Sequence, residues 1–289
     1  MDVSSILSVV DGGPRSGAVA KASFKLAKTL NAYLEVLHVE PDPRDSLPVV
    51  GEGMTGTLVE QVSADIEARR EAAKKVAREA FESECKAHGV EPEAREKVRA
   101  FKTFSVSWTD VEGREDQVVA DLGRFFDLIA VAHPGGEDGS AYAPALETGL
   151  FQCGRPVLVL PQDCGPMPCE TVAVAWNGSC EAVRAVTAGL PFLQAAKSVR
   201  VISIGEEERA GSSERLAAFL AGHGIDPRFD RLQSDQGEVG AMLIRQAVDE
   251  GAGMVVMGAY GHSRLREFVL GGATRSVLHE SSLPLLLAH

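Results

Sequence analysis

The sequence lacks the segments that would carry a chain into or across a membrane. No apolar run reaches the roughly 18–20 residues that a bilayer-spanning helix needs, and Met1 to Ser5 lack the cationic start of a signal peptide. Aromatic residues are scarce at 6% of 289 residues, yet hydrophobic residues reach 45% and the mean hydropathy is −0.01. This balance is typical of a soluble protein with a substantial core. We therefore expect a cytoplasmic protein without a membrane partner.

Paired cysteines and excess positive charge are also missing. The five cysteines form an odd set without a C-x-x-C pair, which fits neither a secreted disulfide framework nor a zinc site. We expect reduced thiols, the alternative being a Cys164–Cys169 disulfide under oxidising conditions. The formal charge of −12 repels a polyanion, so nucleic acid is not an expected partner.

The common catalytic and nucleotide motifs are absent or out of place. No G-x-x-x-x-G-K-[ST] sequence of a P-loop NTPase occurs. Gly51-x-Gly53-x-x-Gly56 matches the dinucleotide pattern, but it follows a proline-containing loop instead of the first strand of a βαβ unit. Leu265 breaks the G-x-S-x-G elbow that Gly261 and Ser263 would begin. We therefore predict no catalytic residue.

Hydrophobic periodicity predicts two successive β-α-β-α-β-α-β-α-β units. A Pro/Gly-rich stretch without periodicity, 162–169, separates them as a linker, which predicts one domain over 1–161 and another over 170–289. The predicted strands are 5–10, 33–39, 101–108, 128–132 and 156–161 in the first unit and 171–176, 199–204, 229–232, 254–257 and 284–287 in the second. The predicted helices are 18–30, 58–88, 116–126 and one containing 147–153, then 180–193, 214–222 and 238–250. We interpret the charges of 58–88 as a solvated helix face.

A glycine-bracketed loop near the C-terminus is the strongest functional signal. The buried strand Met254 to Met257 runs into Gly258 and Gly261, and the chain returns through Gly271 to a helix that begins at Gly272, Ala273 and Thr274. Glycine tolerates the left-handed backbone and lets a ligand approach closely. Free amides at a helix start and the positive end of the helix dipole favour an anion. The loop therefore predicts a phosphate site.

With these residues the whole chain resembles a tandem universal stress protein. The family pattern begins with two glycines separated by two residues, and after nine further residues it ends with Gly-Ser/Thr. In this chain the pattern reads Gly258-x-x-Gly261, nine residues and Gly271-Gly272. Gly272 replaces the hydroxyl residue, so a phosphate would keep an amide there but lose a hydroxyl donor. The resemblance implies an α/β fold of two tandem flavodoxin/Rossmann-like domains of the adenine nucleotide alpha hydrolase type, each with a five-stranded parallel sheet flanked by helices.

The resemblance also implies where an adenine nucleotide would bind. Asn177 stands where the family has an acidic residue beside adenine, Ile204 matches an apolar adenine contact, and Met257 precedes the loop. His262 would lie against phosphate or ribose, or else face solvent. The implied ligand is ATP or AMP, with or without Mg²⁺. In the first half Asp11 keeps the acidic position, but Pro144 has no amide hydrogen for a phosphate. That half is expected to be a degenerate copy.

The predicted function is accordingly a stress-response factor that binds an adenine nucleotide in its C-terminal domain without efficient turnover. The alternatives are an interaction module that binds no nucleotide and, third, a weak ATP-hydrolysing or nucleotidyl-transferring enzyme. The resemblance implies an intramolecular pseudo-dimer in which the two final strands pair, 157–160 with 284–287. It leaves open whether two chains form a homodimer.

Overall fold

The structure, a computed structural model, describes residues 2–42, 56–98, 101, 103–134, 144–165, 167, 169–205, 211–233, 239–260 and 272–289. These residues form ten strands and eight α-helices. The first half comprises β1 (Ser5–Val9), α1 (Ser16–Leu30), β2 (Tyr33–Glu40), α2 (Gly56–His88), β3 (Ser105–Glu112), α3 (Glu115–Gly123), β4 (Leu128–Ala132), α4 (Pro144–Phe151) and β5 (Val157–Leu160). The second comprises β6 (Thr171–Ala175), α5 (Cys180–Ala195), β7 (Ser198–Ile204), α6 (Ser212–Gly222), β8 (Pro227–Leu232), α7 (Val239–Asp249), β9 (Met254–Gly258), α8 (Gly272–Glu280) and β10 (Leu285–Ala288).

All ten strands lie in one sheet with the order β3-β2-β1-β4-β5-β10-β9-β6-β7-β8. Within each half the neighbours are parallel, and each half has the 3-2-1-4-5 order of a doubly wound fold. The halves meet where β5 and β10 pair antiparallel, with Leu286 opposite Leu158. The predicted α/β class, with a mainly parallel sheet between helices, is confirmed.

Two apolar layers cover the two faces of this sheet. Successive strand residues point to opposite faces, so Ile6 packs in one layer and Leu7 in the other, and both are fully buried. Burial on both faces explains why the central strands β4, β5, β9 and β10 read as continuous apolar runs instead of alternating ones. In the described part of the chain, no helix is both long and apolar enough to cross a membrane.

The third strand differs from its prediction by four residues. The sequence predicts 101–108, whereas β3 begins at Ser105, opposite Tyr33. Phe101 lies before the strand and stacks on Tyr33 with ring centroids 5.0 Å apart. Its hydrophobicity therefore serves a contact between a loop and the sheet, which periodicity alone cannot distinguish from a strand residue.

The interpretation of all charges in α2 as a solvated face is wrong. The Arg70 side chain is only 9% exposed and contacts Glu40 at 3.2 Å and Glu67 at 2.9 Å. Lys74 bonds to Asp110 at 2.6 Å and to Glu40. The pairs with Glu40 and Asp110 join α2 to the ends of β2 and β3, so part of the helix's charge is structural.

The five cysteines are free thiols. Burial raises the pKa of Cys85 and of Cys169 to about 11. Burial also raises the pKa of Cys164 to about 11, and the neighbouring Cys169 adds to this rise. These thiols stay protonated at neutral pH, and the thiolate is the reactive form.

Candidate functional site

The predicted site lies at the carboxyl edge of the C-terminal half-sheet, at the point where the strand order reverses. From β6 the chain moves outward through β7 and β8, then returns to β9 on the other side of β6. Ala175 at the end of β6 pairs with Met257 on β9 and with Ile202 on β7. Ligands of open α/β sheets bind in the crevice at such a switch point.

Asn177 lies two residues after the end of β6 and holds the turn into α5. Its side-chain oxygen accepts a hydrogen bond from the Ser179 amide at 3.1 Å, and Ser179 in turn caps the helix by accepting from the Ala182 amide at 3.2 Å. The Asn177 side chain is exposed. Because the turn uses the oxygen, the NH₂ group is the part of the amide suited to a ligand acceptor.

Ile204 and Met257 form the apolar part of the same edge. Met257 is 6% exposed within the hydrophobic layer that also contains Ala259 and Val255, and half-buried Ile204 packs against this layer. Two large apolar side chains beside an exposed amide suit a flat ring with a polar rim.

Gly258 is required by packing within the protein. A Cβ atom at this position would lie 2.5 Å from the Ala182 nitrogen and 2.6 Å from the Glu181 carbonyl carbon. Both are backbone atoms of α5 and cannot rotate away. The missing side chain therefore lets β9 approach the start of α5, whatever it also does for a ligand.

Helix α8 begins at the predicted position. Gly272 is its first residue, followed by Ala273 and Thr274. Thr274 is 5% exposed, and its hydroxyl oxygen accepts a long hydrogen bond of 3.4 Å from the Tyr260 amide. This bond joins the two ends of the loop region. Three other predicted site residues, Gly261, His262 and Gly271, lie outside the described residues.

Tyr260 is a residue of this region that the sequence reasoning missed. Its backbone has φ +61°, a left-handed conformation that only Asn31 shares among the described non-glycine residues. Its ring lies 4.8 Å from that of Phe151 in α4. The available signal was an isolated aromatic residue immediately before Gly261, a position otherwise surrounded by small residues.

The matching edge of the N-terminal half is occupied by the chain's own groups. Asp11 accepts from the Gly13 amide at 2.8 Å and from the Ser16 hydroxyl at 2.9 Å. Helix α4 begins at Pro144 and ends at Phe151, and the amide of Ala145, its second residue, donates to Glu115 at 3.0 Å.

Glu115 therefore supplies an anion to the helix start that corresponds to the predicted phosphate site. The sequence gave no sign of it, because Glu115 and Ala145 are 30 residues apart. Burial raises the pKa of Glu115, and the Ala145 amide bond opposes that effect. Across the same edge, the Arg15 guanidinium donates to the His133 carbonyl at 2.9 Å.

Comparison with known proteins agrees with this architecture. The sequence model of the universal stress protein family matches residues 171–289. Universal stress protein Slr1230 of Synechocystis is 25% identical over 178 residues, and the match spans 57% of this chain and 59% of that relative. The chain thus covers less than two thirds of the curated relative's length.

Two solved structures share the fold along almost the whole chain. A universal stress protein from Archaeoglobus fulgidus superposes with a TM-score of 0.67 at 16% identity, covering 100% of this chain and 99% of its own. A putative universal stress protein from Pseudomonas aeruginosa gives 0.59 at 17% identity, with coverages of 99% and 93%. At such identities the likeness concerns the fold alone. The similarity to the universal stress protein family thus covers residues 171–289 in sequence, and the fold likeness extends over the whole chain.

Proposed function

We propose that the protein binds an adenine nucleotide, ATP or AMP, in its C-terminal half and holds it without efficient turnover. One observation carries the proposal: Ile204 and Met257 lie at the carboxyl ends of β7 and β9, and Asn177 lies in the turn after β6, the strand between them. A hydrogen bond from the Tyr260 amide to Thr274 holds the start of α8 near the end of β9. An exposed amide, two apolar side chains and a helix start provide the chemistry for a base edge, a base face and a phosphate respectively.

The phosphate end of the ligand would lie at the first turn of α8. Its first amides, at Gly272, Ala273 and Thr274, have no acceptor within the helix because they belong to its first turn. The positive end of the helix dipole adds a favourable field for an anion. Mg²⁺ would accompany ATP mainly through the phosphate oxygens and water, as this ion does at many nucleotide sites.

Slow turnover follows from the groups that the sequence does not contain. A P-loop lysine and its metal-binding hydroxyl are missing, and position 272 is glycine where the family has Ser or Thr. We infer that the chain works as two domains, 1–161 and 170–289, joined by 162–169 as a pseudo-dimer. The pairing of β5 with β10 supports this organisation.

The first test is mass spectrometry of any ligand released from the purified protein, followed by a thermal shift with ATP. At an ATP concentration 100 times the dissociation constant, binding stabilises the folded state by about 2.7 kcal/mol. Absence of both a released nucleotide and a shift at millimolar ATP would contradict the proposal and favour the interaction module.

The chain offers a matched pair of variants for locating the site. Asn177 and Asp11 follow corresponding strands and hold corresponding turns. We expect Asn177→Ala to weaken ATP binding about three- to tenfold, the value of one hydrogen bond, whereas Asp11→Ala leaves it unchanged. Isothermal titration measures the affinity separately from the small loss of stability in each variant. Equal effects of the two changes on ATP affinity would contradict the assignment of the site to the C-terminal half alone.

A further inference from the structure

We infer that Tyr260 is a positioning residue for the nucleotide site, fastening the strand β9 end of that site to helix α4 of the N-terminal half. The inference rests on the proposed nucleotide binding and adds a role for the half that carries no site of its own. It concerns contacts that neither the family pattern nor the sequence alone indicates.

The backbone of Tyr260 is strained. A left-handed conformation costs a residue with a side chain roughly 1–2 kcal/mol. The other described non-glycine residue with positive φ, Asn31, is the C-cap of α1, where its two backbone bonds to α1 carbonyls explain the conformation. Tyr260 does not lie at the end of any helix in the described parts of the chain, so contacts with its surroundings must hold this conformation.

Helix α4 supplies those surroundings. The Tyr260 ring packs on Phe151, the last residue of α4, with centroids 4.8 Å apart and planes inclined by 56°. Glu147 lies one helical turn earlier on the same face of α4. Burial, with a smaller contribution from the Glu147 carboxylate, raises the pKa of Tyr260 to about 12. Tyr260 is half-buried, and its contact with Phe151 fixes its side chain against the other half.

The C-terminus strengthens the same contact. Nδ1 of His289 lies 3.0 Å from the Ala259 carbonyl oxygen, and the His289 ring meets the Phe151 ring at 4.8 Å. The Ala259 amide donates to the Ala288 carbonyl at 2.8 Å. Phe151 therefore contacts two rings of the C-terminal half, that of Tyr260 after β9 and that of His289 after β10.

From Tyr260 the connection reaches the proposed phosphate site. Its amide donates to the hydroxyl of Thr274 in the first turn of α8. A chain of contacts thus runs from Phe151 through Tyr260 to Thr274. Losing the Phe151 contact frees Tyr260 to relax to negative φ, which moves this amide away from α8 and disorders the site.

The test compares ATP affinities of four full-length variants by isothermal titration. We expect Phe151→Ala to weaken binding about five- to thirtyfold, the equivalent of the 1–2 kcal/mol of strain that the contact sustains. Tyr260→Phe keeps the ring and should bind like the wild type, since the hydroxyl it loses is buried and has no hydrogen-bond partner among the described residues. Phe125→Ala is the matched control because Phe125, 69% exposed, also belongs to the N-terminal half.

Tyr260→Gly separates the ring's role from that of the backbone. Glycine adopts positive φ without strain, so a purely local backbone role predicts unchanged or tighter binding. Our inference predicts a loss similar to that in Phe151→Ala, because the anchor to α4 is gone. Unchanged affinity in both Phe151→Ala and Tyr260→Gly would overturn it.

If the wild type binds no nucleotide, the proposed function is refuted, but the positioning role of Tyr260 can still be tested by amide hydrogen exchange. In the ligand-free protein, Phe151→Ala should accelerate exchange of the Tyr260 amide at least tenfold relative to Phe125→Ala, which equals opening of the Tyr260–Thr274 bond by about 1.4 kcal/mol. Equal exchange in the two variants would reject the positioning role.

Discussion

The amide of Ala145 donates to the Glu115 carboxylate over 3.0 Å, so the start of α4 holds an anion that belongs to the chain itself. The corresponding helix of the other half, α8, is where we place a nucleotide phosphate. The two halves thus differ in the source of the anion. In the N-terminal half the acid is a side chain of the protein, and this difference is what we expect of a half without a nucleotide phosphate at this helix start.

The first prediction concerns the pH dependence of stability at Glu115. Burial raises the pKa of this carboxyl in the folded protein above its ordinary value of 4.5. Its protonated form is therefore favoured by folding, and that contribution is fully present below pH 4.5 and lost as the pH rises through the folded pKa. We expect Glu115→Gln to be more stable than the wild type at pH 7 and equally stable near pH 4, as measured by urea unfolding.

Glu82→Gln provides a control of opposite sign. The hydrogen bond and charge of Arg78 lower the pKa of Glu82, so its contribution exists above the ordinary pKa and is lost as the pH falls. Glu82→Gln should thus be no more stable than the wild type at pH 7. A lower stability of Glu115→Gln than of the wild type at pH 7 would show that the Ala145 bond outweighs burial.

How far the sequence predicts this molecule depends on whether a feature is local. The apolar runs predict β4 at 128–132 without error, because a strand buried on both faces carries its signal in five consecutive residues. The predicted strands place Ile204 and Met257 at strand ends and Asn177 in the turn after a strand, and the family resemblance indicates that these three residues share a site. The sequence could not indicate that Arg70 forms an ion pair with Glu40 or that Phe101 stacks on Tyr33, because both contacts depend on tertiary packing.

The second prediction separates packing from binding at Gly258. Gly258→Ala places a Cβ 2.5 Å from the Ala182 nitrogen, and overpacking of this kind costs about 1–3 kcal/mol. Gly17→Ala is the control: nothing lies within 4 Å of its added Cβ, and removing a helical glycine stabilises by about 0.5–1 kcal/mol. Chemical denaturation without nucleotide measures both. Unchanged stability of Gly258→Ala would mean that α5 shifts easily, and Gly258 would then be free to serve a ligand alone.

The third prediction concerns the charge cluster of the outer C-terminal strands. Arg200 on β7 forms two hydrogen bonds with Asp230 on β8, at 2.9 and 2.7 Å, and a salt bridge of 2.9 Å with Glu250. Its side chain is 12% exposed. Arg200→Ala leaves two carboxylates facing each other without their cation, so we expect a loss of about 3 kcal/mol of unfolding free energy.

An exposed ion pair supplies the comparison for Arg200. The Lys197–Glu170 pair has side chains 74% exposed on both partners. Lys197→Ala should cost less than about 1 kcal/mol because solvent screens this pair. Added salt should reduce the small effect of Lys197→Ala and leave most of the Arg200→Ala effect. Similar costs for the two variants would indicate that Arg200 is well hydrated.

The fourth prediction concerns the junction of the two halves. Leu158 on β5 and Leu286 on β10 are opposite each other, and both are fully buried. Since the ten strands form one sheet and each core layer draws on both halves, the protein should unfold in a single calorimetric transition. Leu286→Ala should lower its stability by about 2–5 kcal/mol.

Introducing a charge at the β5–β10 junction tests more directly whether this pairing holds the two halves together. Leu286→Asp buries an unpaired carboxylate between the halves, so the junction should open before either half-sheet does. We expect calorimetry to resolve two transitions in Leu286→Asp, whereas Leu220→Ala, a buried change on α6 far from the junction, should destabilise the protein within one transition. Two transitions already present in the wild type would mean that the β5–β10 pairing contributes little, and that the halves fold as independent units despite the shared sheet.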